Sequence, residues 1–129
     1  MVRPKPNKLV IDWILSKNEK QLFLSVITLG EIQKGISTLG ESKKKKMLTI
    51  WLQTEMRERF DGRILPIDEQ VALTWGDMLS SAEQVGIIIP SIDGLIAATG
   101  IACKMTIVTR NIQDMKATGA LLFNPWSEL

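Results

Sequence analysis

Residues 91–103, "SIDGLIAATGIAC", constrain the fold of this chain more than any other stretch. At helical spacing their apolar side chains fall nearly all round the circumference, so the helix they form must be mostly buried. Burying it requires cover on more than one side. Four short apolar runs offer that cover as strands: "QLFLSVIT" (21–28), "RILPI" (63–67), "MTIVT" (105–109) and "GALLF" (119–123). Helical patterns separate them. Thr28 is read as the cap of a helix ending near Gly40, residues 41–62 as a second helix stopped by "DG", and residues 68–86 as a third. The third carries a stripe of Val71, Trp75, Met78, Leu79 and Ala82. A further helix over about 8–16, behind Asn7, would present Leu9, Val10, Trp13 and Ile14. Strands alternating with helices predict an α/β fold with a largely parallel sheet. A chain of 129 residues is the size of one domain with one core, 1–129.

Composition narrows the chemistry by what it lacks. There is no histidine and no tyrosine. Ser-His and Cys-His nucleophiles, histidine-ligated zinc and paired-histidine phosphodiester cleavage are therefore excluded. Any catalysis must run on carboxylates, lysines or a metal held by oxygen. The single cysteine, Cys103, cannot form an internal disulfide and reads as a small buried residue. No apolar run reaches the length of a membrane span, and "MVRPKPNK" carries no signal-peptide core, so a cytoplasmic protein is expected. Net charge is +2 but unevenly spread: residues 1–65 carry +6 and residues 66–129 carry −4. Such a division suits an anionic partner on one side and a cation on the other, and also arises by chance.

The acids fall in a suggestive place. Ligands of open parallel sheets bind beyond the carboxyl ends of the strands. Glu31 is expected in the first turn of the helix after strand 21–28, Asp93 in the first turn of the buried helix, and Asn111 and Asp114 just after strand 105–109. Thr28, Ser91 and Thr109 are neutral hydroxyls beside them. The plainer reading of one such acid is a helix cap, contributing up to about 1 kcal/mol. Asp12, Asp68 and Glu69 are read so. Asp93 differs, because a carboxylate at the head of a buried helix needs compensation. A Mg²⁺ or Mn²⁺ ion, which takes one or two carboxylates and keeps several waters, would supply it. The run "KKKK" (43–46) is either a solvated helix start or, with Lys34, Arg57 and Arg59, a phosphate-binding patch.

The segments "LSVITLGEIQKGI", "FDGRILPIDEQVALTWGDM", "PSIDGLIAAT", "TIVTRNIQDM" and "FNPW" occur in that order over about residues 3–127. Together they resemble PIN-domain proteins, specifically the VapC/FitB-like toxins of bacterial type II toxin–antitoxin pairs. The resemblance implies a three-layer α/β/α fold. It implies a Mg²⁺-dependent (or Mn²⁺-dependent) ribonuclease that hydrolyses RNA phosphodiester bonds, is usually a homodimer and is inhibited by a small antitoxin. Glu31 matches the acid of the family's "GE" step and Asp93 that of its "D-x-x-I-A" helix, both metal ligands. Where the family often has a further acid this chain has Asn111, with Asp114 three residues on, and either could complete the site. Thr109 and Arg110 would position phosphate or water. The family opens with a central strand leading into Asp-Thr-Asn, which has no counterpart here, so Met1 reads as a start inside the domain. That strand would lie mid-sheet between 21–28 and 105–109; without it backbone groups on both neighbours lose their partners unless the gap closes or a partner chain donates a strand. A second function follows from this departure: an inactive relative that only binds an antitoxin or its own kind.

Overall fold

A computed structural model of the chain describes residues 16–125. The expected helix over about 8–16 (apart from Ser16), Asp12 and Trp126 lie outside them. The described elements are β1 (Leu24–Ser25), α1 (Val26–Ser37), α2 (Lys43–Trp51), a π-helical turn (Leu52–Met56), α3 (Arg57–Arg59), β2 (Ile64–Leu65), α4 (Glu69–Gln84), α5 (Ser91–Ala102), β3 (Ile107–Val108), α6 (Ile112–Met115) and β4 (Leu122–Phe123). The class is α/β, as expected, with strands much shorter than the apolar runs that contain them.

The first run shows why. Ser25, not Thr28, caps α1: its hydroxyl oxygen accepts from the Ile27 amide at 3.0 Å. "VIT" is then the first turn of the helix rather than the end of a strand. A hydroxyl two residues ahead of an amide competes successfully with strand pairing. The expected single helix over 41–62 is also broken. Thr49 and Thr54 each donate a hydroxyl bond to the carbonyl four residues back, Lys45 and Ile50, at 2.8 and 2.7 Å. Such back-bonding bends helices, and the π turn falls here.

The expected helix over 68–86 is borne out. Asp68 caps it, its carboxylate accepting from the Val71 amide at 2.9 Å. Asp68→Ala is expected to cost about 1 kcal/mol of stability, read from the urea midpoint at unchanged slope. Val71, Met78 and Ala82 of α4 and Ile89, Ala97, Ala98 and Met115 form the core cluster. α5 runs through it as expected, packed mainly against α4 and touching α1, α6 and β3. Its burial is not complete: Ile92 and Ile101 are exposed, and Cys103 at its end is half-buried.

Gly100 sets how closely α5 approaches β3. A Cβ there would stand 3.0 Å from Ile107 Cγ1 and 3.2 Å from the Met105 carbonyl oxygen, and closer still to Ile107 Cδ1. The Met105 amide donates back to the Gly100 carbonyl at 2.8 Å, tying strand entry to helix end.

All strand pairing is parallel, but the strands do not make one sheet. β1 pairs β2 and β3 pairs β4, with no ladder joining the two pairs among the described residues. A cleft of about 1160 Å³ is lined by all four strands, including Leu24, Leu65, Ile107 and Leu122. Among the described residues the parallel pairing expected of the sheet is present as two strand pairs beside this cleft. Among the described residues β1 and β3 are not paired with each other. Arg63 braces one side: its guanidinium donates to the Leu22 carbonyl at 2.8 Å and lies 4.9 Å from the Phe60 ring centre. No described helix is long and apolar enough to cross a membrane.

Candidate metal centre

α5 brings Asp93 to the head of the core helix. Asp93 is the third residue of α5, and the capping residue, Pro90, offers no side-chain bond. The turn is held by the Gly94 amide donating to the Pro90 carbonyl at 2.9 Å and by Ile89 packed beneath. Asp93 is half-buried. Loss of solvent raises its carboxyl above the ordinary 3.8, and the negative charge of Asp114 raises it further. Asp114 stands in α6, which packs on α5 and follows the carboxyl end of β3. A carboxylate whose ionisation is disfavoured by lost solvent and by a neighbouring negative charge is one that a cation relieves. This donor set fits magnesium or manganese, which need few direct carboxylates.

The remaining candidates are placed differently from each other. Glu31 lies in the second turn of α1, not the first, because the helix starts three residues earlier than expected. It is exposed, and too far along α1 to cap it, so the plainer reading is removed for this residue. α1 packs on α5, but no three Asp, Glu or Cys side chains come close enough to hold a metal among the described residues. Among the described residues Glu31 does not gather with Asp93 and Asp114 into one cluster of three. Asn111 occupies the cap position of α6 without a side-chain cap bond. Its amide donates to the Thr109 hydroxyl at 2.9 Å, so Thr109 shapes the "TRN" turn. Thr109 is anchored to β4 by its own amide, which donates to Phe123 at 3.0 Å. Arg110 is exposed in that turn.

The lysine run starts α2 behind the Ser42 cap, and Lys45 pairs with Glu41 at 3.3 Å on the surface. For Lys45 this is the solvated helix start. Sequence reasoning missed Trp75 and Gly94. Trp75 was assigned to the α4 stripe alone, but its indole edge abuts Gly94, the residue after Asp93. A glycine directly after an acid in a helix's first turn is the signal that could have pointed to it.

The family model described as "PIN domain" matches residues 1–120. The chain is 37% identical over 127 residues to Toxin FitB of Neisseria gonorrhoeae, covering 98% of this chain and 91% of that protein. It is 30% identical over 124 residues to VapC ribonuclease Y4jK of Sinorhizobium fredii, covering 96% and 89%. Its fold is similar to that of a chain in the structure of FitAB bound to a DNA fragment, with a TM-score of 0.92, 37% identity, and 98% and 89% of the two chains covered. A VapBC structure from Salmonella typhimurium, 19% identical, shares the fold at a TM-score of 0.78. With its α/β core, its acids at the heads of α5 and α6 and this match over most of its length, the chain belongs to the PIN-domain family.

Proposed function

We propose that this chain is a divalent-metal-dependent endoribonuclease, the toxin of a toxin–antitoxin pair, built as a single PIN-like domain over 1–129. The observation that supports it most is Asp93 in the first turn of the core helix α5, its carboxyl raised by lost solvent and by the charge of Asp114 on the adjoining α6. The relatives named VapC ribonuclease and Ribonuclease VapC2 supply the substrate class, RNA. The structures of toxin–antitoxin complexes supply the partner class, a small antitoxin. A homodimer acting in the cytoplasm completes the reading.

PIN-domain ribonucleases generally depend on a divalent metal, and here Mg²⁺ or Mn²⁺ fits the donors. Asp93 and Asp114 would hold the ion, with Glu31 approaching from α1. When bound, the ion would neutralise charge on the phosphoryl group and lower the pKa of water. The chain's own residues do the rest. The Thr109 turn presents Arg110 and the Asn111 amide group toward the phosphate, where a guanidinium and an N–H-rich side chain suit phosphate oxygens. Asp114 and Asp93, once ionised, are the groups able to accept a proton from the attacking water.

A second reading is favoured by one observation: only two acids come together among the described residues. On that reading the chain binds an antitoxin or itself and cleaves nothing. Incubation of the folded chain with structured RNA separates the two. Cleavage is expected with Mg²⁺ or Mn²⁺ and is lost in EDTA. RNA left intact by a folded, metal-supplied chain selects the binding-only reading.

A further inference from the structure

The turn that carries Asp93 has an unusual support. Pro90 gives it no side-chain cap, so its position depends on what packs against it. Beneath lies Ile89, which is buried. Beside it lies the indole of Trp75 from the middle of α4. A Cβ on Gly94 would stand 3.1 Å from Trp75 Nε1, 3.3 Å from Trp75 Cδ1 and 3.4 Å from Ile89 Cγ2. The helix backbone therefore rests directly on the indole edge, and a side chain at 94 would force the ring or the turn to give by a few tenths of an ångström.

The contact is costly in one respect. Trp75 Nε1 is shielded from solvent and has no hydrogen-bond partner among the described residues. A buried unpaired donor costs about 1–3 kcal/mol, and such groups in native proteins call for an explanation. A phenyl or aliphatic group would fill the core of α4 without that cost. What the indole adds is a flat, rigid edge with two torsions, reaching the backbone one residue beyond Asp93.

We propose that Trp75 is a positioning residue for Asp93, its indole edge seated on Gly94 and fixing the first turn of α5 so that the Asp93 carboxylate is held in place for a divalent cation. The inference rests on the metal reading given above. Supports outside the direct ligands commonly change metal affinity by about 10–100-fold when lost. Gly94 and Trp75 act as one contact. Adding a methyl at 94 pushes the turn off the ring. Replacing the indole by leucine removes both ring atoms that face Gly94, Nε1 and Cδ1, and leaves the turn unsupported. Making both changes puts the methyl into the space the indole vacates.

The test measures Mn²⁺ affinity, by the electron paramagnetic resonance signal of free Mn²⁺, and melting temperature. The proteins are the full chain and its Gly94→Ala, Trp75→Leu, Gly94→Ala/Trp75→Leu and Asp93→Asn variants. Each single change at 94 or 75 is expected to weaken Mn²⁺ binding about tenfold. The double variant is expected to bind more tightly than either single one, a non-additivity reserved for residues in direct contact. Melting temperature need not follow, because alanine favours a helix over glycine. Wild-type affinity in both folded single variants, or simply additive losses in the double, overturns the positioning role. Wild-type affinity in Asp93→Asn removes the metal reading itself, and the inference with it.

Discussion

Asp93→Asn abolishes metal-dependent RNA cleavage and, without metal, leaves the protein more stable than wild type. Both halves follow from one environment. Asp93 is half-buried and faces the negative charge of Asp114, so its carboxyl is raised first by lost solvation and then by that charge. A raised carboxyl binds protons more readily folded than unfolded. Between the ordinary 3.8 and its raised value the folded chain holds more proton, so its stability falls as pH rises through that window. Above the window the ionised group is a standing cost to the metal-free fold. Asparagine has the same shape without the charge, and the cost disappears. The cation that would have offset it is lost too, and with it cleavage, by on the order of 100-fold or more. Melting curves at pH 7 in EDTA and in Mn²⁺ check the prediction. The variant should melt above wild type in EDTA and lose the metal-induced rise. Acidifying wild type should weaken Mn²⁺ binding at a higher pH than an ordinary carboxylate would.

Gly100→Val is expected to have the largest effect on stability, about 3 kcal/mol. That is a large part of the roughly 5–15 kcal/mol a domain of this size possesses, and it should lower the melting temperature by roughly 10 °C. The branched side chain would enter space already held by Ile107 and the Met105 carbonyl. The Ile107 tip can turn aside, but the carbonyl is backbone and can move only with β3. Gly76→Ala is the matching control. Gly76 sits inside α4 with nothing within 4 Å of its added Cβ. The same class of change should there stabilise by about 0.5–1 kcal/mol, through helix propensity alone. Urea unfolding of both variants tests the pair. Equal effects at the two positions would contradict a close α5–β3 approach.

The elements read most clearly from sequence were those whose signals agreed. Asp68 before a periodic stripe and Gly86 after it marked α4, and the structure keeps both ends. The all-round apolar pattern marked α5 as the core helix, and the large apolar residues it leaves exposed are Ile92 and Ile101. "LSVIT" was ambiguous, because β-branched residues suit a strand and serine and threonine both cap helices. The Ser25 cap decided for helix and moved Glu31 from the first turn to the second. The break in residues 43–59 was hidden, since it arises from threonine hydroxyls turning back on the helix rather than from proline or glycine.

The candidate site was legible as residue types at the right ends of elements, not as a cluster. Sequence left Asn111 and Asp114 equal. Asp114 is the one whose charge acts on Asp93, because the short helix α6, invisible in "NIQDM", turns it toward α5. Whether β1 and β3 would come together was left open by sequence, and no residue pattern by itself announced the cleft. The contact of Trp75 with Gly94 could not be read from spacing, since an aromatic at a core position of α4 looks the same whether it touches a leucine or a backbone.

The central claim is that Asp93 and Asp114 form a cation site. Mn²⁺ titration of the wild-type chain, beside Asp93→Asn and Asp114→Asn, tests it most directly. Saturable binding by wild type, weakened by both substitutions, is the predicted result. Absence of binding by the folded wild-type chain, or binding unchanged in both variants, would contradict it.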